Sequence, residues 1–166
     1  MSRNSIFVRA SPEQVFAVLD DAYAYPSWVL GTRRIRDVDQ EWPAVGSSFH
    51  HAIGTPVAEL HDSSKVVVRQ RPEHLELEVR FRPTGVATVC VDIAPEHSGC
   101  RVTMEETPKF GFFASLPRLV TEPLLAVRNE VSLRRLRHLT EARLHRAPVV
   151  GAPAASGVPC ARGRPG

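Results

Sequence analysis

Long apolar runs are missing from this chain. Nowhere do about eighteen apolar residues follow one another, so the sequence predicts no membrane-spanning helix, and any membrane contact would be peripheral. Cysteine is scarce. Cys90, Cys100 and Cys160 make an odd set without the paired spacing of a metal site. The opening MSRNSIFVRA has no apolar segment of the kind a secretory signal carries. These absences predict a reduced, cytoplasmic protein with no metal. Net charge is also lacking over most of the chain: Arg146, Arg162 and Arg164 supply the whole formal +3, and residues 1–144 are neutral. Without a net-basic body, nucleic-acid binding loses its electrostatic support. There is no nucleophile motif, Gly-rich phosphate loop or dinucleotide fingerprint, and Gly31, Gly46 and Gly54 stand singly as turns, so no cofactor is expected.

What is present reads in order. Residues 5–9 alternate as a first strand, and Ser11-Pro12-Glu13-Gln14 then announces a helix, with Ser11 as N-cap, Pro12 in the first helical position and Gln14 completing a capping box. A second short helix is expected over residues 22–30, capped by Asp21 and broken by Pro26. From there the period becomes alternating. Strands are predicted over residues 33–38, 47–53, 60–70, 74–82, 86–93 and 100–106, joined by tight turns. The clearest, residues 74–82, turns Leu75, Leu77, Val79 and Phe81 inward and a face of mixed charge outward. With the last hairpin turning near His97, Cys90 falls opposite about position 104, so a disulfide to Cys100 is not expected. Residues 109–116 read as an aromatic loop.

A long helix is predicted over residues 116–144, with Ser115 as cap and a kink near Pro123. Its apolar positions Val120, Leu124, Leu125, Val127, Val131, Leu136 and Leu139 cover an arc of roughly 180° at a hundred degrees per residue. Arg128 projects from the middle of that arc. After Ala147 the chain is rich in Ala, Pro and Gly, with two arginines and no aromatics, and residues 147–166 are expected to form a disordered tail beyond one domain, residues 1–146.

Consecutive antiparallel strands with one solvated face need a cover on the other. A curved seven-stranded antiparallel sheet wrapped around the long C-terminal helix, with two short helices between the first two strands, supplies it. The resulting class is α+β. SPEQVFAVLDDAYAYPSWV, the strand GCRVTMEETP and the pair Arg128-Asn129 resemble the polyketide cyclase/dehydrase and lipid transport branch of the START-like helix-grip superfamily. The resemblance spans roughly residues 3–144. It implies a deep apolar cavity between sheet and helix, used for binding hydrophobic molecules, for polyketide cyclisation or dehydration, or for carrying lipids.

Parity along each strand selects what would face such a cavity. His51 shares a face with Phe49 and Ile53, and Glu106 shares one with Val102 and Met104. The expected ligand-contacting set is Phe49, His51, Leu77, Val79, Val89 and Val91 from the sheet, with Met104 and Glu106 from its last strand. Phe112 and Phe113 of the loop and Leu124 and Arg128 of the helix complete it. A buried guanidinium and carboxylate are tolerable as a pair, so Arg128 is expected to meet Glu106 or Asp37, either as a structural bridge or as part of the site. Trp28 and Trp42 are expected to close one end of the core.

Three functions follow as expectations. The first is binding of a small hydrophobic ligand, lipid or polyketide-like, by a monomer or homodimer. The second is a cyclase or dehydratase in which His51 or Glu106 moves a proton while Arg128 stabilises an oxyanion. The third is a partner-binding, stress-regulatory protein, which the mixed charges of the outer sheet face argue against.

Overall fold

Ser11 fixes where the first helix begins. Its side chain accepts the Gln14 backbone N–H at 3.4 Å, and the Gln14 side chain accepts the Ser11 N–H at 2.8 Å, satisfying two donors that would otherwise be orphaned. The computed structural model describes residues 2–54, 59–81, 85–111 and 117–146. Phe112, Phe113, Ser115 and residues 147–166 lie outside the described residues.

The elements run β1 (Ser2–Val8), α1 (Pro12–Leu19), a 3-10 turn (Ala22–Ala24), α2 (Tyr25–Trp28), β2 (Thr32–Val38) and β3 (Ser48–Gly54). They continue with β4 (Glu59–Gln70), β5 (His74–Phe81), β6 (Gly85–Glu96), β7 (Gly99–Gly111) and α3 (Arg118–Arg146). Among the described residues the seven strands make one antiparallel sheet in the order β1-β7-β6-β5-β4-β3-β2. This is the expected helix-grip architecture, with two short helices between β1 and β2.

Details differ from expectation for local reasons. Pro26 does not break a helix over residues 22–30. It sits in the first turn of α2, where its missing N–H has no intrahelical partner to lose. Strand β7 continues through Lys109 and Phe110 to Gly111 because β6 offers it a ladder: Val86 pairs with Phe110, and a register shift between Val86 and Ala87 accommodates Pro108. Cys90 lies opposite Glu105, and Cys90 and Cys100 are both free thiols.

The larger correction concerns the long helix. The residues of α3 that turn inward are Thr121, Leu125, Asn129, Ser132, Leu133, Leu136 and Thr140. Val120, Leu124 and Val127, placed in the buried arc by their hydrophobicity, are exposed. Among the described residues the helix joins the main core along its C-terminal half, where Leu133 and Leu136 pack with Val8, Phe16, Leu19, Cys100 and Val102. In the same core Tyr25, Trp28 and Phe49, with Trp42 packed against them, form a ring cluster, with Tyr25–Phe49 centroids 4.6 Å and Trp42–Phe49 centroids 4.9 Å apart. The Trp42 indole N–H donates to the Asp20 carbonyl at 2.7 Å and the Tyr25 hydroxyl to the Leu19 carbonyl at 3.0 Å, so both rings are held by their polar ends.

Candidate functional site

Two chambers lie between the sheet and the N-terminal half of α3. The outer one has a volume of about 470 Å³ and a mostly apolar wall, including Leu30, Ile53, Leu60, Val86, Ala87, Pro108, Phe110, Leu124 and Leu125. The inner one, about 40 Å³, is bounded by the rings of Tyr25, Trp28 and Phe49 and by Leu77, Val79, Val89 and Met104. Its polar members are His51, Ser64, Asn129 and Ser132. Thr32, Glu106 and Arg128 line both chambers, so the two adjoin at these residues.

Strand period brings the groups together. On β3, Phe49 and His51 are buried while His50 between them is exposed, which also separates the two imidazoles as metal ligands. On β4, Asp62, Ser64 and Val66 are buried in alternation. Register places Glu106 opposite Val89, Val89 opposite Leu77, and His51 opposite Asp62.

At the junction Arg128 Nη1 donates to Glu106 Oε2 at 2.7 Å, and Arg128 Nε donates to the Leu30 carbonyl at 3.3 Å. The Glu106 side chain is 2% exposed and that of Arg128 26%. A carboxylate so buried needs a cation, and Arg128 reaches it from the helix. Ser132 fixes the same loop: its hydroxyl accepts the Leu30 N–H at 3.0 Å and donates to the Arg128 carbonyl at 2.9 Å. Asp37, the alternative partner, is exposed on β2, where its side chain accepts the Val38 N–H.

His51 packs against Phe49 with ring centroids 5.4 Å apart. Burial first, then the Arg128 charge and His50, push its pKa from 6.5 down to about 4. The imidazole is therefore neutral near pH 7, and among the described residues its Nδ1 has no hydrogen-bond partner.

Of the expected set, Phe49, His51, Leu77, Val79, Val89, Met104, Glu106 and Arg128 line the inner chamber, and Leu124 lines the outer. Val91 does not belong with them. It shares their inward parity but lies buried in the core, on neither chamber wall. Parity reports the face of a strand, not the depth along it. Trp28 does more than close the core, since its ring also bounds the inner chamber. Asp62, Ser64, Asn129 and Ser132 line the chambers in addition to the expected set, Asn129 being known from the sequence only as part of the Arg128-Asn129 pair. The strand alternation of Asp62 and Ser64 with Val66 and the helical spacing of Asn129 from Leu125 were the signals available, but hydrophobicity ranks such residues outward.

The sequence profile of the polyketide cyclase/dehydrase and lipid transport family matches residues 2–141. The chain belongs to that family. Solved structures similar to it include protein CV1439 from Chromobacterium violaceum, with TM-score 0.67 and 17% identity over 84% of this chain and 96% of that one. The di-domain ARO/CYC StfQ of the steffimycin biosynthetic pathway matches with TM-score 0.65 and 15% identity, over 86% of this chain and 51% of its own. Ara h 8.0201 matches with TM-score 0.67 and 10% identity, over 84% of this chain and 96% of its own. At such identities the likeness is one of fold. No functionally curated protein matches the sequence. Family and fold agree with hydrophobic-ligand binding and with cyclase chemistry alike. Among the described residues no helix is long and apolar enough to cross a membrane.

Proposed function

We propose that this family member binds a small, largely apolar molecule in the outer chamber, with the Arg128–Glu106 pair at its inner boundary. One observation carries the reading: about 470 Å³ of space between sheet and helix, walled mainly by apolar side chains. Ala87, 3% exposed, sits on that wall. Nile red, an uncharged lipophilic fluorophore, should bind the full chain, and Ala87→Phe should abolish its binding while the far-UV circular dichroism is retained. Binding unaffected by Ala87→Phe, or no binding by the parent chain, overturns the reading.

A second reading, a cyclase or dehydratase, draws support from His51, a neutral imidazole with an unpartnered ring nitrogen at the chamber wall. It assigns proton abstraction to His51 alone. Glu106 is engaged by Arg128, so the pair acts as one positioning unit instead of as separate acid and oxyanion clamp. Unchanged turnover of a candidate polyketide substrate by His51→Ala removes this alternative.

A further inference from the structure

The inner chamber holds a set of unmet hydrogen-bonding atoms. Among the described residues, Trp28 Nε1, His51 Nδ1 and both Asn129 amide atoms, Nδ2 and Oδ1, are buried without a partner. All three residues line this one space, and each is at most 3% exposed. Buried side-chain polar atoms are nearly always bonded, so four orphans on three residues that line one small void point to a group that comes from outside.

The accounting defines that group. Trp28 Nε1 can only donate, Asn129 offers a donor atom and an acceptor atom whichever way its amide is turned, and neutral His51 Nδ1 takes either role with its tautomer. A partner must therefore accept hydrogen bonds and also donate one. A hydroxyl does both. A bare carbonyl leaves Asn129 Oδ1 unmet, and an ammonium cannot accept from Trp28.

Charge excludes anions. Among the described lining residues the acids are Glu106 and Asp62 and the guanidinium is that of Arg128, already bonded to Glu106. Space sets the size. About 40 Å³ admits a head group of a few heavy atoms and no ring system, so the ligand body stays in the outer chamber.

We infer that the inner chamber is a recognition subsite for the uncharged hydroxyl head of an otherwise apolar ligand, held by Asn129, Trp28 and His51 beyond the Arg128–Glu106 junction. The inference rests on the ligand-binding reading above and names the chemical class that this site selects. It separates alcohols and enols from free fatty acids and from plain hydrocarbons.

Three probes with one ring skeleton test it: naphthylmethanol, naphthoate and methylnaphthalene, all substituted at the same ring carbon. Calorimetric titration of the full chain should give naphthylmethanol about a tenfold advantage over methylnaphthalene, as expected for one or two net hydrogen bonds, with naphthoate weakest. Asn129→Leu should erase that advantage while leaving methylnaphthalene within about twofold. The same variant should raise the melting temperature, because orphaned polar atoms are removed from a buried site. Trp28→Phe keeps the ring, removes the N–H and should cost the alcohol several-fold.

Equal affinity of alcohol and hydrocarbon, or tightest binding of naphthoate, overturns the inference. So does an Asn129→Leu variant that lowers the melting temperature and weakens all three probes alike, since that marks a structural role. If Nile red binds and the three probes do not differ, the head-group inference alone falls. If Nile red does not bind either, the ligand-binding reading falls with it.

Discussion

From Leu133 onward α3 turns Leu133, Leu136 and Thr140 into the core, each at most 1% exposed, whereas Leu119, Val120, Leu124 and Val127 near its start are 56% to 90% exposed. One helix thus follows two rules. Where it meets the sheet's packed interior, its apolar residues go in, as burial of hydrocarbon dictates. Where it spans the chambers, the inward positions are mostly polar, Thr121, Arg128, Asn129 and Ser132 beside the single Leu125, and Leu119, Val120, Leu124 and Val127 are left outside. A helix facing a void gains nothing by filling it with leucine if the void must stay open to a polar-headed guest. Core packing is concentrated at the C-terminal half of α3, and the proposed recognition at the N-terminal half.

The sharpest way to break this comparison is a truncation in the packed half. Leu136 is fully buried among core residues. Leu136→Ala should destabilise the protein by about 4 kcal/mol, from lost transfer energy plus a cavity that close-packed neighbours cannot fill. Urea unfolding followed by circular dichroism measures it. A loss below about 1 kcal/mol would mean that the C-terminal half is not the stability anchor described here.

The junction between the halves comes next. Arg128→Met leaves Glu106 buried without its guanidinium and should cost about 3 kcal/mol, at the low end for buried pairs because Arg128 is a quarter exposed. Adding Glu106→Leu should return most of that loss, since a removed pair is far cheaper than a broken one. The double-mutant cycle separates a paired charge from two independent contributions. If the double variant is as unstable as the sum of the single ones, the two side chains do not act as a pair.

The helix-grip architecture was legible in the sequence because its signals are local and redundant. The Ser11 capping box, the alternation of Leu75, Leu77 and Val79, and the turn near His97 each specify structure within a few residues. The meeting of Arg128 with Glu106 was legible too, through parity on β7 and the cost of burying either charge alone. The inward polar seam of α3 was not. Hydrophobic periodicity assumes that the buried side is the greasy side, and Asn129 and Ser132 reverse it at a cavity. The depth of Val91 was equally hidden, because it depends on where the helix crosses the sheet.

Acid should sharpen the contrast by acting at the chamber end through His51. His51 has a folded pKa of about 4 against 6.5 for an ordinary imidazole. Above pH 6.5 both folded and unfolded chains keep it neutral, and it contributes no pH slope. As pH falls below 6.5 the unfolded chain takes up a proton that the folded site refuses, so stability drops until about pH 4, where the folded imidazole also protonates. Between pH 7 and pH 5 the loss should be about 2 kcal/mol. His51→Phe should remove that part of the slope in urea titrations run at both pH values. An unchanged slope would mean that the imidazole is not held neutral by burial.

The smallest effect on stability should come from the exposed half of the helix, and it tests the division of labour most directly. Leu124 lines the outer chamber yet is 57% exposed. Leu124→Ser removes little hydrocarbon from the folded core, so unfolding should shift by less than about 0.5 kcal/mol. Its apolar surface is what a bound ligand would cover, and losing it should weaken Nile red binding by about threefold, the value of a partly buried methylene pair. A variant that lost several kcal/mol would place Leu124 in the stability core after all. One that lost neither stability nor affinity would show that the outward leucines of α3 play no part in holding the guest.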